Sequence, residues 1–360
     1  MTLVNIEPTN QPQVQSPVSM ESTWDKTFTL DLQITHRKVS FVNKFGIALV
    51  ADVYLPKNAA TNRSLAAVAV SGPFGAVKEQ SSGLYAHYLA TQGLVTLAFD
   101  NSYTGESGGY PRGMSSADVF TEDFSAAVDF LTTLEQVNPE RIGVLGICGL
   151  GGFALNAAAM DPRIKAVATS VMYDMTRAMG FGVGPSRDVL TPAQRQALKQ
   201  FLAAQRTADY AANAYSYASY NYVFEGNQVS RVGDLTEIPF NAQDLGNPVI
   251  QEFADYYRNP QRGYHPRSIN SNGKWQATMP LGMMNSRILS FADEINVPTL
   301  ILTGEFAHSR YFAEDAYRHV GTAQKELVIV AGADHAGLYD TANGLLPLEK
   351  FASFFIQALK

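Results

Sequence analysis

The sequence predicts an α/β protein: a mostly parallel sheet with helices on both faces and a helical cap inserted late in the chain. Three observations carry this expectation. Short apolar runs of strand length alternate with stretches of helical periodicity. A glycine-rich segment at 141–159 reads as strand, sharp turn and helix in immediate succession. Residues of about 174 to 290 then break the alternation with no convincing buried strand, and a structureless loop of that length is implausible inside a compact domain.

Composition bounds the rest. Hydrophobic residues make up 46% and charged residues 17%, enough apolar mass for a substantial core and too little charge for a disordered chain. The formal net charge of −6 argues against a general nucleic-acid binder. No apolar run approaches the roughly 18 residues that span a bilayer, so no membrane association is expected. The segment 1–22 holds neither Lys nor Arg nor an apolar block, so it does not read as a signal peptide, and a cytoplasmic location is the default. The single cysteine, Cys148, excludes an internal disulfide framework and a multi-cysteine metal site; no metal or cofactor is expected.

In chain order, residues 1–24 are polar and carry Pro8, Pro12 and Pro17, which predicts a flexible or surface-wrapping arm. His36 to Phe41 and the alternating Ile47, Leu49, Ala51, Val53 and Leu55 predict an antiparallel strand pair, stopped by Pro56. Leu65–Val70, Leu94–Phe99, Ile142–Ile147, Ile164–Val171, Thr299–Leu302 and Leu327–Val330 read as strands buried on both faces. Asp118 to Leu134 places Phe120, Phe124, Ala127, Val128, Leu131 and Leu134 at helical spacing. Thr191-Pro192 is an N-cap followed by a first-turn proline, and its helix runs into a tyrosine-rich stretch, Tyr210 to Tyr222. A final helix over about 345–359 has Pro347 in its first turn. The expected organisation is a core of 25–173 and 291–360 with a helical cap of 174–290.

The chemistry centres on Arg141-Ile-Gly-Val-Leu-Gly-Ile-Cys148-Gly-Leu-Gly-Gly. A buried strand ends at Ile147, glycines surround the turn, and a helix follows, the layout of a nucleophile elbow. A helix N-terminus favours the thiolate, which points to Cys148 as a nucleophile rather than a small buried cysteine in a glycine-rich turn. His335, just past the last strand, is placed at the carboxyl edge of the sheet and follows the cysteine in chain order, as a base should. His36, His87 and His319 fall on strand or helix faces and read as structural; His265 and His308 are candidates to line a pocket. The acid is expected after the Thr299–Leu302 strand. Glu305 is the carboxylate in that turn, with Asp174 as the alternative, Asp315 behind it, and a Cys–His pair without an acid as a further option. The oxyanion hole calls for backbone N–H groups: Gly149, after the nucleophile, and Phe74 or Gly75, since Pro73 has none. Tyr210, Tyr215 and Tyr217 are candidate substrate contacts, with His308. The glycines fit neither a Gly-Lys-Ser/Thr phosphate loop nor a dinucleotide fingerprint.

From about residue 36 to 359 the chain resembles the α/β-hydrolase superfamily. The turn-rich segment from Phe99-Asp100 to Gly105-Glu-Ser107 is similar to the one that follows the strand before the elbow there. Val77-Lys-Glu-Gln80, Gly146-Ile-Cys-Gly149, His308-Ser-Arg-Tyr-Phe312 and Leu338-Tyr-Asp340 resemble the cysteine-nucleophile branch near dienelactone hydrolases, a group that includes fungal polyketide transferases and thiohydrolases. The resemblance implies an eight-stranded sheet and a Cys–His–acid enzyme that acylates Cys148 from an ester, lactone or thioester, carrier- or coenzyme-A-linked thioesters included. Leu150, two residues past the nucleophile, departs from the small residue usual there, as Ser71-Gly-Pro-Phe departs from the usual His-Pro loop. Two rivals stand beside hydrolysis: transfer of the acyl group to a non-water acceptor, and a catalytically idle ligand-binding protein. The oligomeric state is left open.

Overall fold

The computed structural model describes residues 14–60, 64–184 and 187–360. In chain order, β1 (Ile34–Val42) and β2 (Ala48–Pro56) open the core. β3 (Leu65–Ser71) is followed by α1 (Ser81–Thr91), β4 (Val95–Phe99) by α2 (Ala117–Thr132), and β5 (Val137–Ile147) by α3 (Gly149–Met160). β6 (Ile164–Ser170) leads into α4 (Met175–Phe181) and the long α5 (Pro192–Ala212). The short β7 (Tyr217–Ala218), β8 (Tyr222–Glu225) and β9 (Gln228–Arg231) come next, then α6 (Pro248–Tyr257), α7 (Ile269–Asn272), β10 (Trp275–Gln276) and α8 (Pro280–Met283). The core resumes with β11 (Thr299–Gly304), α9 (Arg310–His319), β12 (Lys325–Val330) and α10 (Leu348–Ala358).

Eight strands form one sheet in the order β1-β2-β4-β3-β5-β6-β11-β12. β2 pairs antiparallel with β1 and β4; every other pair is parallel. The inner strands β3, β4 and β11 are buried along their whole length, as their continuous apolar runs require. α1 and α10 pack together against the sheet, as do α2 and α3. The chain leaves β3 toward β4 and its neighbour β5 toward β6, so the connections diverge between β3 and β5, which opens a crevice at the carboxyl ends of these strands.

Residues 175–283 bridge β6 and β11. The Thr191-Pro192 start is a full capping box: the Thr191 hydroxyl accepts from Gln194 N–H, and the Gln194 side chain accepts from Thr191 N–H. The segment also contains two small antiparallel ladders, β8–β9 and β7–β10, that its sequence did not announce. Their strands are mostly half-exposed, so the apolar signal of a buried strand is missing. Gly226-Asn227, with Gly226 at φ 62°, supplies the turn of the first.

The arm is less free than its composition suggests. Residues 1–13 lie outside the described residues, but 14–24 are laid along the core. Gln15 bridges Ile47, Val18 N–H donates to the Glu106 carbonyl, and Glu21 N–H donates to the Glu106 carboxylate. Hydrogen bonds to the chain's own turns hold this stretch on the core. Among the described residues, no helix is long and apolar enough to cross a membrane.

Candidate active site

β3, β5 and β6 end in register, Ser71 beside Gly146 and Ile147 beside Ser170, so the loops that follow them converge. Cys148 occupies the turn between β5 and α3 at φ 55°, ψ −127°, a strained conformation for a side-chain-bearing residue that costs of order 1–3 kcal/mol. The turn is locked on both sides: Cys148 N–H donates to Ser170 O (2.9 Å), and Tyr173 N–H donates to Cys148 O (2.9 Å). Gly146 is needed because a Cβ there would come within 2.3 Å of the Leu150 carbonyl. Leu150 itself is buried and turned away from the cavity, which explains how the elbow tolerates it. Gly72 (φ 104°) brings the oxyanion loop against the elbow; a Cβ there would lie 2.3 Å from Ile147 O.

The backbone N–H groups of Gly149 and Phe74 both lie against the Cys148 thiol and pull its pKa down, and both residues are among the candidates named from the sequence for an oxyanion hole. Of the two candidates in the loop, Phe74 is the one whose N–H lies against the thiol. The Gly75 carbonyl instead faces the cap, where it accepts from Ser268 Oγ (3.0 Å) and Asn270 N–H (3.3 Å). The Asn270 side chain also donates to Phe74 O (2.8 Å), so cap residues set the oxyanion loop. Behind the loop, Lys78 is fully buried and meets Glu79 (2.7 Å), Asp100 (2.9 Å) and Glu106 (2.6 Å). This is the physical content of the Val77-Lys-Glu-Gln80 motif: an ionic knot under the loop, extended by Arg267 to Glu79 (2.9 Å) and closed by the arm.

His335 reaches the site, but not as expected. Its ring is wholly buried, with Nε2 on the Tyr339 hydroxyl (2.8 Å) and Nδ1 on Ser309 Oγ (2.6 Å). The Tyr339 hydroxyl also lies against the Cys148 thiol, so a tyrosine stands between the sulfur and the imidazole. Burial pushes the Cys148 thiol up to about 11, against the pull of Tyr339, Gly149 and Phe74. Burial also holds the His335 imidazolium well below the usual histidine range, with His308 adding to the effect. The resting pair is therefore neutral thiol and neutral imidazole: desolvation outweighs the helix N-terminus that the sequence reading credited with a thiolate.

Neither predicted acid contacts His335. The side chain of Glu305 is exposed and accepts Gly332 N–H (2.9 Å), tying one turn to another. Asp174 caps α4, accepting from Thr176 Oγ1 and Arg177 N–H, and burial raises its pKa. Asp315 pairs with Arg177 (2.7 Å). The carboxylate brought to the His335 loop is Glu252, from α6. Its Oε2 accepts from the backbone N–H groups of His335 and Ala336 (3.0 Å each), and its Oε1 meets His308 Nδ1 (2.9 Å). His308 Nε2 in turn hydrogen-bonds to the Tyr173 hydroxyl.

A cavity of about 1790 Å³ opens over Cys148, lined with Phe74, Tyr173, Tyr220, Phe253, Tyr257 and Trp275. Phe74 and Trp275 stack with ring centroids 4.2 Å apart. His308 lines this cavity, as foreseen. The three chosen tyrosines do not: Tyr210 is 90% exposed on α5, and Tyr215 and Tyr217 face outward, Tyr215 against Tyr110. Only Tyr210 lies on α5, which ends at Ala212; the extended chain that follows turns Tyr220 and Tyr222 to the cavity instead. Ser309 and Tyr339 lay inside the motifs that carried the resemblance, without a role. Glu252, Tyr173 and Trp275 had no signal of their own. Among the described residues, no cluster of three or more His, Cys, Asp or Glu side chains could hold a metal.

Comparison with known proteins agrees with this architecture. A model of the X-Pro dipeptidyl-peptidase (S15) family matches residues 46–336. An uncharacterized protein of Pseudomonas aeruginosa is 48% identical over 344 residues, 95% of this chain and 86% of the relative. The crystal structure of that Pseudomonas protein superposes with a TM-score of 0.84, covering 95% of this chain and 99% of the other. A polyketide transferase of Penicillium crustosum is 35% identical over 132 residues, 37% of this chain and 42% of the relative. An α/β-hydrolase structure from Penicillium sp. sh18 shares the fold at 19% identity, with a TM-score of 0.67 over 90% of this chain and 99% of that one.

Proposed function

Because the chain belongs to the X-Pro dipeptidyl-peptidase (S15) family and has the α/β-hydrolase fold of an enzyme, we propose that it is an acyl-transfer hydrolase working through a Cys148 acyl-enzyme. One observation carries the reading: on a strained elbow facing a large aromatic cavity, two backbone N–H groups and a histidine-backed hydroxyl converge on one sulfur. With its proton on Nδ1, toward Ser309, His335 leaves Nε2 free to accept. Sulfur attacks the carbonyl carbon as its proton moves to the Tyr339 oxygen and the Tyr339 proton moves to Nε2. Phe74 and Gly149 N–H hold the developing oxyanion. The proton returns by the same path to the leaving oxygen or sulfur, the carbonyl–leaving-group bond breaks, and a thioester remains on Cys148.

Ester, lactone and thioester carbonyls suit a neutral thiol better than an amide, because their leaving groups need less help. The aromatic lining suits a mid-sized, partly aromatic or polyketide-like acyl group, and the partial likeness to a polyketide transferase points the same way. That likeness also favours the second reading, transfer to a non-water acceptor, which uses the same acyl-enzyme. Intact-mass measurement after incubation with panels of acyl thioesters and lactones tests both. The expected result is one acyl adduct per chain, absent in a folded Cys148→Ala variant. Turnover without any adduct, or a Cys148→Ala variant at wild-type rate, would overturn the cysteine assignment. No turnover and no adduct on any substrate would favour the idle binder.

A further inference from the structure

We propose that the site holds a second proton relay, Tyr173–His308–Glu252, that activates the acceptor when the acyl group leaves Cys148. The inference rests on the acyl-enzyme reading above. The two histidines of the site stand side by side, ring centroids 4.8 Å apart, but are equipped differently. His335 is sealed behind Tyr339, has a hydroxyl at each nitrogen, and does not line the cavity. His308 lines it and has the full hydroxyl–imidazole–carboxylate sequence: Tyr173 on Nε2 and Glu252 on Nδ1 at 2.9 Å. That is the arrangement by which a carboxylate fixes a tautomer and supports an imidazolium.

Each member is held from a different element. Tyr173 follows β6 and is pinned to the elbow by its N–H on Cys148 O (2.9 Å). His308 follows β11. Glu252 comes from the cap and is fixed by three contacts, one to His308 and two to the backbone of the His335 loop. Burial, and the nearby Cys148, keep the Tyr173 hydroxyl protonated, so it acts as a conduit and never as a free tyrosinate. Thus one relay serves the sulfur and the other lines the cavity, through which an acceptor must reach the acyl group.

The step balances as follows. An acceptor H–X, water among them, attacks the thioester carbonyl and forms a C–X bond. Its proton passes to the Tyr173 oxygen as the Tyr173 proton passes to His308 Nε2, and Glu252 offsets the imidazolium charge. The tetrahedral intermediate collapses, the C–S bond breaks, and its electron pair stays on Cys148 sulfur, held by Phe74, Gly149 and Tyr339. His308 then releases its proton through Tyr173 and the cavity to the thiolate, which regenerates the thiol. Tyr173 is the catalytic residue of this relay; His308 and Glu252 are positioning residues.

The test uses the full chain with para-nitrophenyl butyrate, comparing wild type, Tyr173→Phe and His308→Gln. Rapid release of nitrophenolate reads acylation, and intact mass reads the butyryl-enzyme. The relay predicts a retained burst, accumulated butyryl-enzyme and deacylation slowed by roughly 100-fold. Hydroxylamine, a nucleophile that needs little base assistance, should restore turnover in both variants. A merely structural role would lower burst and deacylation together and would not be rescued. Deacylation at the wild-type rate in a folded His308→Gln chain overturns the relay while the acyl-enzyme stands. A wild type that turns over without forming butyryl-enzyme overturns the reading beneath it, and the relay with it.

Discussion

At the scale of single residues, the site turns on where protons rest. Cys148 and His335 are both held neutral by burial, and among the described residues Tyr339 is the polar bridge between them. Removing that bridge should separate base from nucleophile. Tyr339→Phe is expected to fold, since the ring packs among Tyr256, Tyr257 and Phe253, and to lose roughly 100-fold or more in acylation. Glu305→Gln should keep wild-type acylation, because its carboxylate supports only the Gly332 turn. Stopped-flow acylation rates of the two variants decide this; the opposite ranking would restore Glu305 as the acid.

At the scale of elements, the cap completes the core's site. α7 and the residues before it hold the oxyanion loop through Asn270 and Ser268, α6 lends Glu252, and Arg262 grips Asp340 with two 3.0 Å contacts just past Tyr339. Asn270→Ala removes the contact to Phe74 O and should let its neighbouring N–H wander from the oxyanion. The expected loss in acylation kcat is roughly 10-fold, with stability reduced by about 1 kcal/mol. Acylation kinetics beside thermal melting separate the two effects, and a melting shift without a rate change would deny the cap this role. Sequence patterning found the β–turn–α units because each is a local signal. The same patterning missed β8–β9 and the inward tyrosines, whose burial depends on partners distant in the chain.

At the scale of the whole molecule, the ionic knot joins arm, oxyanion loop, sheet and cap. Lys26 meets Asp52 (2.7 Å), Lys78 meets three carboxylates, and Arg267 meets Asp25 (2.6 Å) and Glu79. Burial raises the Glu79 pKa, but Lys78, Lys26 and Arg267 outweigh it and hold the carboxyl at about 2, below its ordinary 4.5. A depressed pKa contributes stability that is present above pH 4.5 and is lost as pH falls toward 2. Asp100, raised by burial, works in the opposite direction and blunts the effect. Unfolding free energy from denaturant titrations should therefore fall between about pH 4.5 and 2, and Glu79→Gln should flatten that fall while lowering stability at neutral pH by about 3–5 kcal/mol. A Glu79→Gln curve parallel to wild type would remove Glu79 from the acid response.

The sequence by itself determined the α/β sheet and the strand–turn–helix at Cys148, and it singled out the His335 loop, Gly149 and the Phe74/Gly75 pair as candidates. These follow from periodicity, glycine placement and chain order, which act over a few residues. Only the tertiary structure decided that Tyr339 stands between thiol and imidazole, that Ser309 takes the place expected for Glu305, and that Glu252 arrives from the cap. The reason is geometric and dielectric. A hydrogen-bond partner is chosen by which side chains meet in space, and a pKa by how much water is excluded; neither is written in the spacing of residues along the chain.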